Sequence, residues 1–142
     1  MKKLSVLFVS VLALGMSFVS CSKDDDKEAS IEGKWNYSTA AITTNGIEVP
    51  FNDYIDNQAN CAKDYLELKT AGVANSGEYS SDCKLTVDTG TWKKDGNKLT
   101  VVSDGESTSF EVVSVTDSTL KLKVSYSEGG VALTVIVTLV KA

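Results

Sequence analysis

Residues 131–140 read VALTVIVTLV, and their order decides the fold class. Larger apolar residues alternate here with a period of two, whereas an amphipathic helix repeats its apolar positions every three or four residues. One face of the extended segment carries Val131, Leu133, Val135, Val137 and Leu139. The other face carries Ile136 and Val140 beside small or hydroxylated residues. The segment therefore predicts a β-strand that is buried on one face and partly covered on the other.

The same pattern recurs from Ile31 onward. Short runs of Val, Thr, Ile, Leu and Tyr are interrupted by Asn-Gly, Asp-Gly and Gly-Gly pairs, which are typical of tight turns between strands. We predict eight strands, at residues 33–43, 64–70, 77–87, 90–94, 98–103, 107–115, 119–126 and 131–140. The remaining segments are a short extended piece at 47–51, one short helix at 52–60 and a loop at 71–76.

The arrangement of these strands follows from the short connections. Tight turns make neighbouring strands antiparallel, so the predicted sheet is a meander. Such a sheet has two unpaired edges unless its first and last strands pair with each other. We therefore predict an all-β fold, an eight-stranded antiparallel meander barrel. A two-sheet β-sandwich made from the same strands is the alternative.

Three cysteines are present, and two of them, Cys61 and Cys83, fall within the predicted β domain. An even pair in an exported chain predicts a disulfide, which would close a loop of about 22 residues. Two free thiols or a pair of metal ligands are the alternatives. The sequence contains no histidine, which disfavours the usual zinc sites.

The chain starts MKK and continues with an uncharged, mostly apolar run at 4–19, as in a secretory signal peptide. The sequence FVSC at 18–21 resembles the lipobox at which bacterial lipoproteins are acylated and cleaved. This resemblance implies that residues 1–20 are removed and that Cys21 carries the lipid, which holds the protein on a bilayer. An ordinary signal peptide with an incidental cysteine, or a membrane-spanning anchor, are the alternatives.

The stretch after this cysteine, SKDDDKE at 22–28, resembles the acidic export signal of surface lipoproteins of Bacteroidota. The same charged stretch is also typical of a solvated spacer that holds a domain away from the bilayer. We expect a cleaved signal peptide at 1–20, a lipidated cysteine and acidic tether at 21–30, and a single domain at 31–142. The expected location is the outer membrane of a Gram-negative bacterium, with the protein lipid-anchored through Cys21 and exposed at the cell surface.

The first predicted strand begins Gly33-Lys34-Trp35, which resembles the Gly-x-Trp signature of lipocalins. Two further stretches, TGTW at 89–92 and DGNKL at 95–99, complete a resemblance to the lipocalin-like domain lipoproteins of Bacteroidota. The resemblance covers residues 31–141 and implies an eight-stranded barrel whose closed end is plugged by Gly33 and Trp35. Lipocalins usually place an arginine on this tryptophan, but the chain contains no arginine. The lysines that could approach Trp35 instead are Lys121, Lys123 and Lys141.

Composition argues against catalysis. Without histidine, Ser-His-Asp and Cys-His arrangements cannot form. No phosphate-binding glycine loop is present, and the acidic residues fall mainly in turns or on outward strand positions, where they are solvated. The formal net charge of −5 at pH 7 disfavours nucleic-acid binding. We expect no enzyme activity, no cofactor and no metal site.

A barrel of eight strands has room for its own side chains or for one small ligand. We therefore expect a binding protein for a small apolar or sugar-like molecule. The candidate ligand-lining residues are Trp92, Tyr37, Tyr79, Tyr126, Leu122 and Leu133. The alternative is a structural or protein-interaction lipoprotein, either an accessory subunit of an outer-membrane complex or an inhibitor. The acidic surface and the long connection at 45–63 favour that alternative.

Overall fold

The structure is a computed structural model that describes residues 29–142, apart from the side chains of Tyr126 and Glu128. The predicted signal peptide, Cys21 and most of the acidic tether lie outside the described residues. Within the described range, no helix has both the length and the apolar character needed to cross a membrane.

Nine strands run through the described chain. They are β1 (Gly33–Thr44), β2 (Ile47–Pro50), β3 (Tyr65–Lys69), β4 (Val73–Tyr79), β5 (Leu85–Asp95), β6 (Lys98–Ser103), β7 (Glu106–Val115), β8 (Thr119–Glu128) and β9 (Val131–Lys141). The helical content of residues 29–142 is two single 3-10 turns, at Asn52–Tyr54 and Thr70–Gly72.

All neighbouring strands are antiparallel, and the sheet closes on itself. The strands follow the order β2-β1-β3-β4-β5-β6-β7-β8-β9, and β1 also pairs with β9 from Trp35↔Lys141 to Ile42↔Val135. Eight strands, β1 and β3–β9, thus form a closed barrel, while β2 is a short arm paired with the end of β1. The predicted eight-stranded meander barrel is confirmed, and the pairing of β1 with β9 rules out the two-sheet sandwich.

Two predicted strand boundaries are wrong. Residues 71–76 are mostly strand β4, and the following turn lies at 80–84. There, Ser80 N donates to Lys84 O at 3.0 Å and Cys83 N donates to Ser80 O at 2.8 Å. Gly90 was predicted to begin a strand, but it lies in the middle of β5. A Cβ at this position would overlap the carbonyl of Val102, so the glycine permits close strand packing rather than a turn.

The predicted helix at 52–60 is also wrong in length. Only Asn52–Tyr54 form a 3-10 turn, and Phe51 before it has no side-chain hydrogen bond that would cap a helix. Ile55 is already extended, with φ −114° and ψ 116°. Phe51 and Ile55 are partly buried against the core. Tertiary packing of these apolar side chains therefore sets the conformation of this connection.

The two ends of the barrel differ in the side chains and the connections that lie there. One end, which we call the closed end, contains Trp35 and the turns at 69–73, 95–98 and 115–119. Large apolar side chains fill the barrel near this end: Trp35, Leu68, Leu99, Leu120 and Leu139 have no exposed surface. The opposite, open end carries the turns at 44–47, 80–84, 103–106 and 128–131 and the connection at 51–64. Any internal site must therefore lie toward the open end.

Candidate functional site

Trp35 occupies the closed end and is held from two sides. It has no exposed surface, and its indole Nε1 donates to the carbonyl oxygen of Ile31 at 2.8 Å. Lys141 Nζ lies 4.1 Å from the centre of the Trp35 ring and donates to the carbonyl oxygen of Glu32 at 2.8 Å. Lys141 is therefore the lysine that takes the position where lipocalins usually carry an arginine. Lys123 instead pairs with Glu111.

Gly33 makes the approach of this lysine possible. Its φ of +125° lies in the region that favours glycine, and a Cβ there would overlap the end of the Lys141 side chain. The Gly-x-Trp segment and the last strand thus form one interlocked unit at the closed end.

A disulfide joins two elements at the open end. Cys61 and Cys83 are bonded, with Cα atoms 5.2 Å apart, which confirms the predicted bridge. It links the connection at 51–64 to the turn between β4 and β5. The connection is therefore fixed beside the barrel mouth.

A cavity of about 610 Å³ opens beneath this connection. Alternation along the strands aims Ser76 and Glu78 of β4 and Thr86 of β5 into it, because they lie on the same side of the sheet as Leu66. The full lining consists of Tyr37, Tyr54, Ile55, Asp56, Gln58, Asp64, Ser76, Glu78, Tyr79, Ser80, Ser81 and Thr86. The lining is rich in tyrosine rings, hydroxyls and carboxylates, with one aliphatic residue.

Asp64 ties the cavity wall together. It is only 8% exposed, and its Oδ1 accepts a hydrogen bond from Tyr79 N at 2.7 Å. Its backbone N donates to Asn57 Oδ1 at 2.9 Å, and its carbonyl oxygen accepts from Tyr37 N at 2.9 Å. Asn57 Nδ2 in turn donates to the carbonyl oxygen of Tyr37 at 2.9 Å. Asp64 and Asn57 therefore join β1, β4 and the connection at one point.

The electrostatic environment of the cavity is negative. Burial, and then the neighbouring Tyr54, Glu78 and Asp64, raise the pKa of Tyr37 to about 12. The Tyr37 hydroxyl is therefore protonated at neutral pH and retains its capacity to donate a hydrogen bond.

Comparison with known families identifies the domain. The sequence model of the lipocalin-like domain matches residues 31–122, well over half of the chain. The chain belongs to the lipocalin-like domain family. Folds of this kind are generally folds of binding and transport, typically of small hydrophobic molecules.

Two solved structures from Bacteroides share the lipocalin-like fold of this chain. A lipocalin-like protein from Bacteroides uniformis ATCC 8492 is 13% identical, with a TM-score of 0.55, and the match covers 79% of this chain and 98% of that one. An uncharacterized protein from Bacteroides eggerthii DSM 20697 is 10% identical, with a TM-score of 0.53, over 80% and 100% of the two chains. These identities show the fold alone. A comparison with curated proteins found no match.

The lipocalin-like barrel brings together only some of the predicted lining residues. Tyr37 and Tyr79 border the open-end cavity. Leu122 is packed in the core at 2% exposure, and Leu133 is half-buried on β9. Trp92 lies toward the closed end, where its Nε1 donates to the carbonyl oxygen of Lys69 at 2.8 Å. Of Tyr126 only the backbone is described, paired with Leu133.

Sequence reasoning missed ten of the twelve residues that line the cavity, among them Tyr54, Asp64 and Glu78. A signal for Asp64 was present in DYLELKT at 64–70, since alternation places residue 64 on the same face as Leu66 and Leu68. Across residues 29–142, no group of three or more Cys, Asp or Glu side chains is arranged to hold a metal ion.

Proposed function

We propose that this protein binds a small polar, sugar-like molecule in the cavity at the open end of its barrel. The observation that carries the proposal is the contrast between the two ends. Apolar side chains fill the barrel interior at the closed end, where shallower depressions of about 490 and 460 Å³ lie on the surface, whereas a cavity of about 610 Å³ opens inside the barrel mouth beside Tyr37 and Tyr54. Ligand cavities usually measure about 300–1,000 Å³. Tyrosine rings offer stacking faces and hydroxyls offer hydrogen bonds, which together suit a sugar-like ring better than an aliphatic chain.

The same proposal places the protein on a membrane through an acylated Cys21. The described chain enters the barrel at the closed end, where Ile31 is 6% exposed. A tether ending at residue 30 therefore joins the barrel at its closed end, on the side opposite the cavity mouth. Metabolic labelling with a radioactive fatty acid is expected to label the wild-type protein and to fail with Cys21→Ala. Equal labelling of both proteins would exclude this anchor.

A cavity-filling variant tests the binding site. Ser76→Phe places an aromatic ring where a hydroxymethyl group now borders the cavity. We expect it to abolish binding of mono- and disaccharides, measured by native mass spectrometry and calorimetry, while circular dichroism stays unchanged. Ser109→Phe is the matched control, because Ser109 is exposed on β7 outside this cavity. A wild-type protein that retains no ligand from its host and binds no saccharide would contradict the proposal.

The arm β2 supports a second candidate, an accessory lipoprotein with a protein partner. Within residues 29–142, β2 pairs only with β1, and its Ile47 and Val49 are 66% and 50% exposed. An unpaired strand edge of this kind can accept a strand from another protein. Crosslinking in intact cells is expected to recover one dominant partner. Ile47→Lys would remove this partner, whereas Val113→Lys, at a site on β7 that is 49% exposed, would not. Recovery of monomer alone would argue against this candidate.

A further inference from the structure

The cavity is lined with negative charge and no positive charge. Asp56, Asp64 and Glu78 contribute carboxylates, and no lysine is among its lining residues. The nearest lysines along the chain are Lys63, which is exposed, and Lys84, whose Nζ pairs with Asp82 at 2.7 Å. The cavity therefore carries an uncompensated negative charge.

Asp64 is the most informative of these carboxylates. It is the only charged residue that is buried within residues 29–142, at 8% exposure, and it borders the cavity. A backbone N–H from Tyr79 satisfies one carboxylate oxygen, and none of the ion pairs among residues 29–142 includes Asp64. Buried charges are normally paired, since removing them from water is unfavourable. Since no buried side-chain oxygen among residues 29–142 lacks a hydrogen bond, the second carboxylate oxygen of Asp64 keeps access to the cavity, where a positive ligand group would pair with it.

The tyrosines add a second kind of attraction. The faces of aromatic rings attract cations, and Tyr37 and Tyr54 border the same space as the carboxylates. The protein uses this interaction elsewhere, since Lys34 Nζ lies 3.7 Å from the centre of the Tyr65 ring. Aromatic faces and buried acid together suit an ammonium group better than a neutral one.

The distribution of charge over the whole barrel points in the same direction. Lysines slightly outnumber acids around the closed end, where Lys69, Lys93, Lys94, Lys98 and Lys141 lie beside Glu32, Glu67, Asp95 and Asp117, whereas acids outnumber lysines at the open end. The carboxylates of the cavity lie at the open end. This polarity raises the local concentration of cations at the cavity mouth.

We propose that the ligand of this cavity is a small organic cation, an amine or quaternary ammonium compound whose charge is met by Asp64 and Glu78. This inference rests on the proposed function and narrows it from a polar, sugar-like molecule to one that carries a positive charge, such as an amino sugar.

Pairs of charged and neutral compounds of similar shape test whether the ligand must carry a positive charge. The full-length protein, solubilised in a non-ionic detergent, is titrated calorimetrically with glucosamine and glucose at a mildly acidic pH, where the amine is protonated. Choline and its neutral isostere 3,3-dimethylbutan-1-ol form a second pair. We expect a cation to bind at least about tenfold more tightly than its neutral counterpart, and its binding to weaken as the salt concentration rises.

Three variants test which carboxylates of the protein meet the positive charge of the ligand. Asp64→Asn keeps an oxygen that can accept from Tyr79 N, and Glu78→Gln changes an exposed side chain, so both are expected to fold. Each is expected to reduce the preference for the cation by about tenfold. Glu106→Gln is the control: it removes one negative charge from an exposed residue at the open end outside the cavity, and the preference should remain.

The possible failures separate the two proposals. If glucose binds as tightly as glucosamine and Ser76→Phe abolishes both, the binding cavity stands and the cationic ligand is overturned. The same conclusion follows if the cations bind but Asp64→Asn and Glu78→Gln leave their affinity unchanged. If neither the cations nor the neutral compounds bind, and no saccharide does, both proposals fall.

Discussion

Lys141 substitutes for the arginine that lipocalins usually place on their conserved tryptophan. Its ammonium group contacts the Trp35 ring and the carbonyl oxygen of Glu32 at once. A cation–π contact at an exposed site contributes about 0.5–1 kcal/mol, and a hydrogen bond contributes a similar amount. We therefore expect Lys141→Met to lower the free energy of unfolding by about 1–2 kcal/mol and Lys141→Arg to preserve it. The measurement is urea denaturation, with Lys121→Met on β8 as the control. Equal losses in the two Met variants would show that the contact with Trp35 contributes nothing.

Tyr37 is expected to make the free energy of unfolding depend on pH in the alkaline range. The pKa of the Tyr37 phenol is about 12 in the folded protein, whereas an unperturbed tyrosine has a pKa of 10.0. The folded state therefore holds the phenolic proton more tightly than the unfolded state does. The resulting stability is complete below pH 10 and is lost as the pH rises from 10 through 12. Tyr37→Phe is expected to flatten this part of the pH profile, measured as the difference in unfolding free energy between the two proteins. That difference isolates Tyr37 from the lysines and the other tyrosines. A difference that does not change between pH 9 and pH 12 would contradict the assignment.

Between two neighbouring strands, the ring of Tyr65 on β3 packs over Gly77 on β4. Tyr65 is 6% exposed on the face opposite Leu66, and a Cβ at Gly77 would overlap its ring. We expect Gly77→Ala to destabilise the protein by about 1–3 kcal/mol, since the ring would have to move. In a Tyr65→Ala background the same substitution should be neutral or slightly stabilising, because glycine weakens a strand. Thermal denaturation of the four proteins measures this coupling. Additive effects would show that ring and glycine are independent.

At the scale of the whole molecule, the disulfide holds the connection at 51–64 over the barrel mouth. Cys61 and Cys83 are 22 residues apart, and a loop of this size corresponds to about 3 kcal/mol in the chain-entropy account. Replacing both cysteines with alanine should lower the free energy of unfolding by about that amount. It should also weaken ligand binding, since Tyr54, Ile55 and Asp56 reach the cavity from this connection. Unchanged affinity in a destabilised variant would show that the connection keeps its place without the bridge.

Local sequence patterns predicted the barrel, its meander topology and the bridge, and the structure removed the alternatives of a two-sheet sandwich and of free thiols. Period-two alternation in β9, turn pairs between strands and an even pair of cysteines are local signals that need no knowledge of distant contacts. The errors were local too: glycine at position 90 suggested a boundary, although the carbonyl of Val102 is what requires it. The folded chain was needed to show which lysine reaches Trp35 and which acids share a cavity with Tyr37. The first depends on the register between β1 and β9, and the second depends on the pairing of β1, β3, β4 and β5. No short stretch of sequence encodes such long-range register.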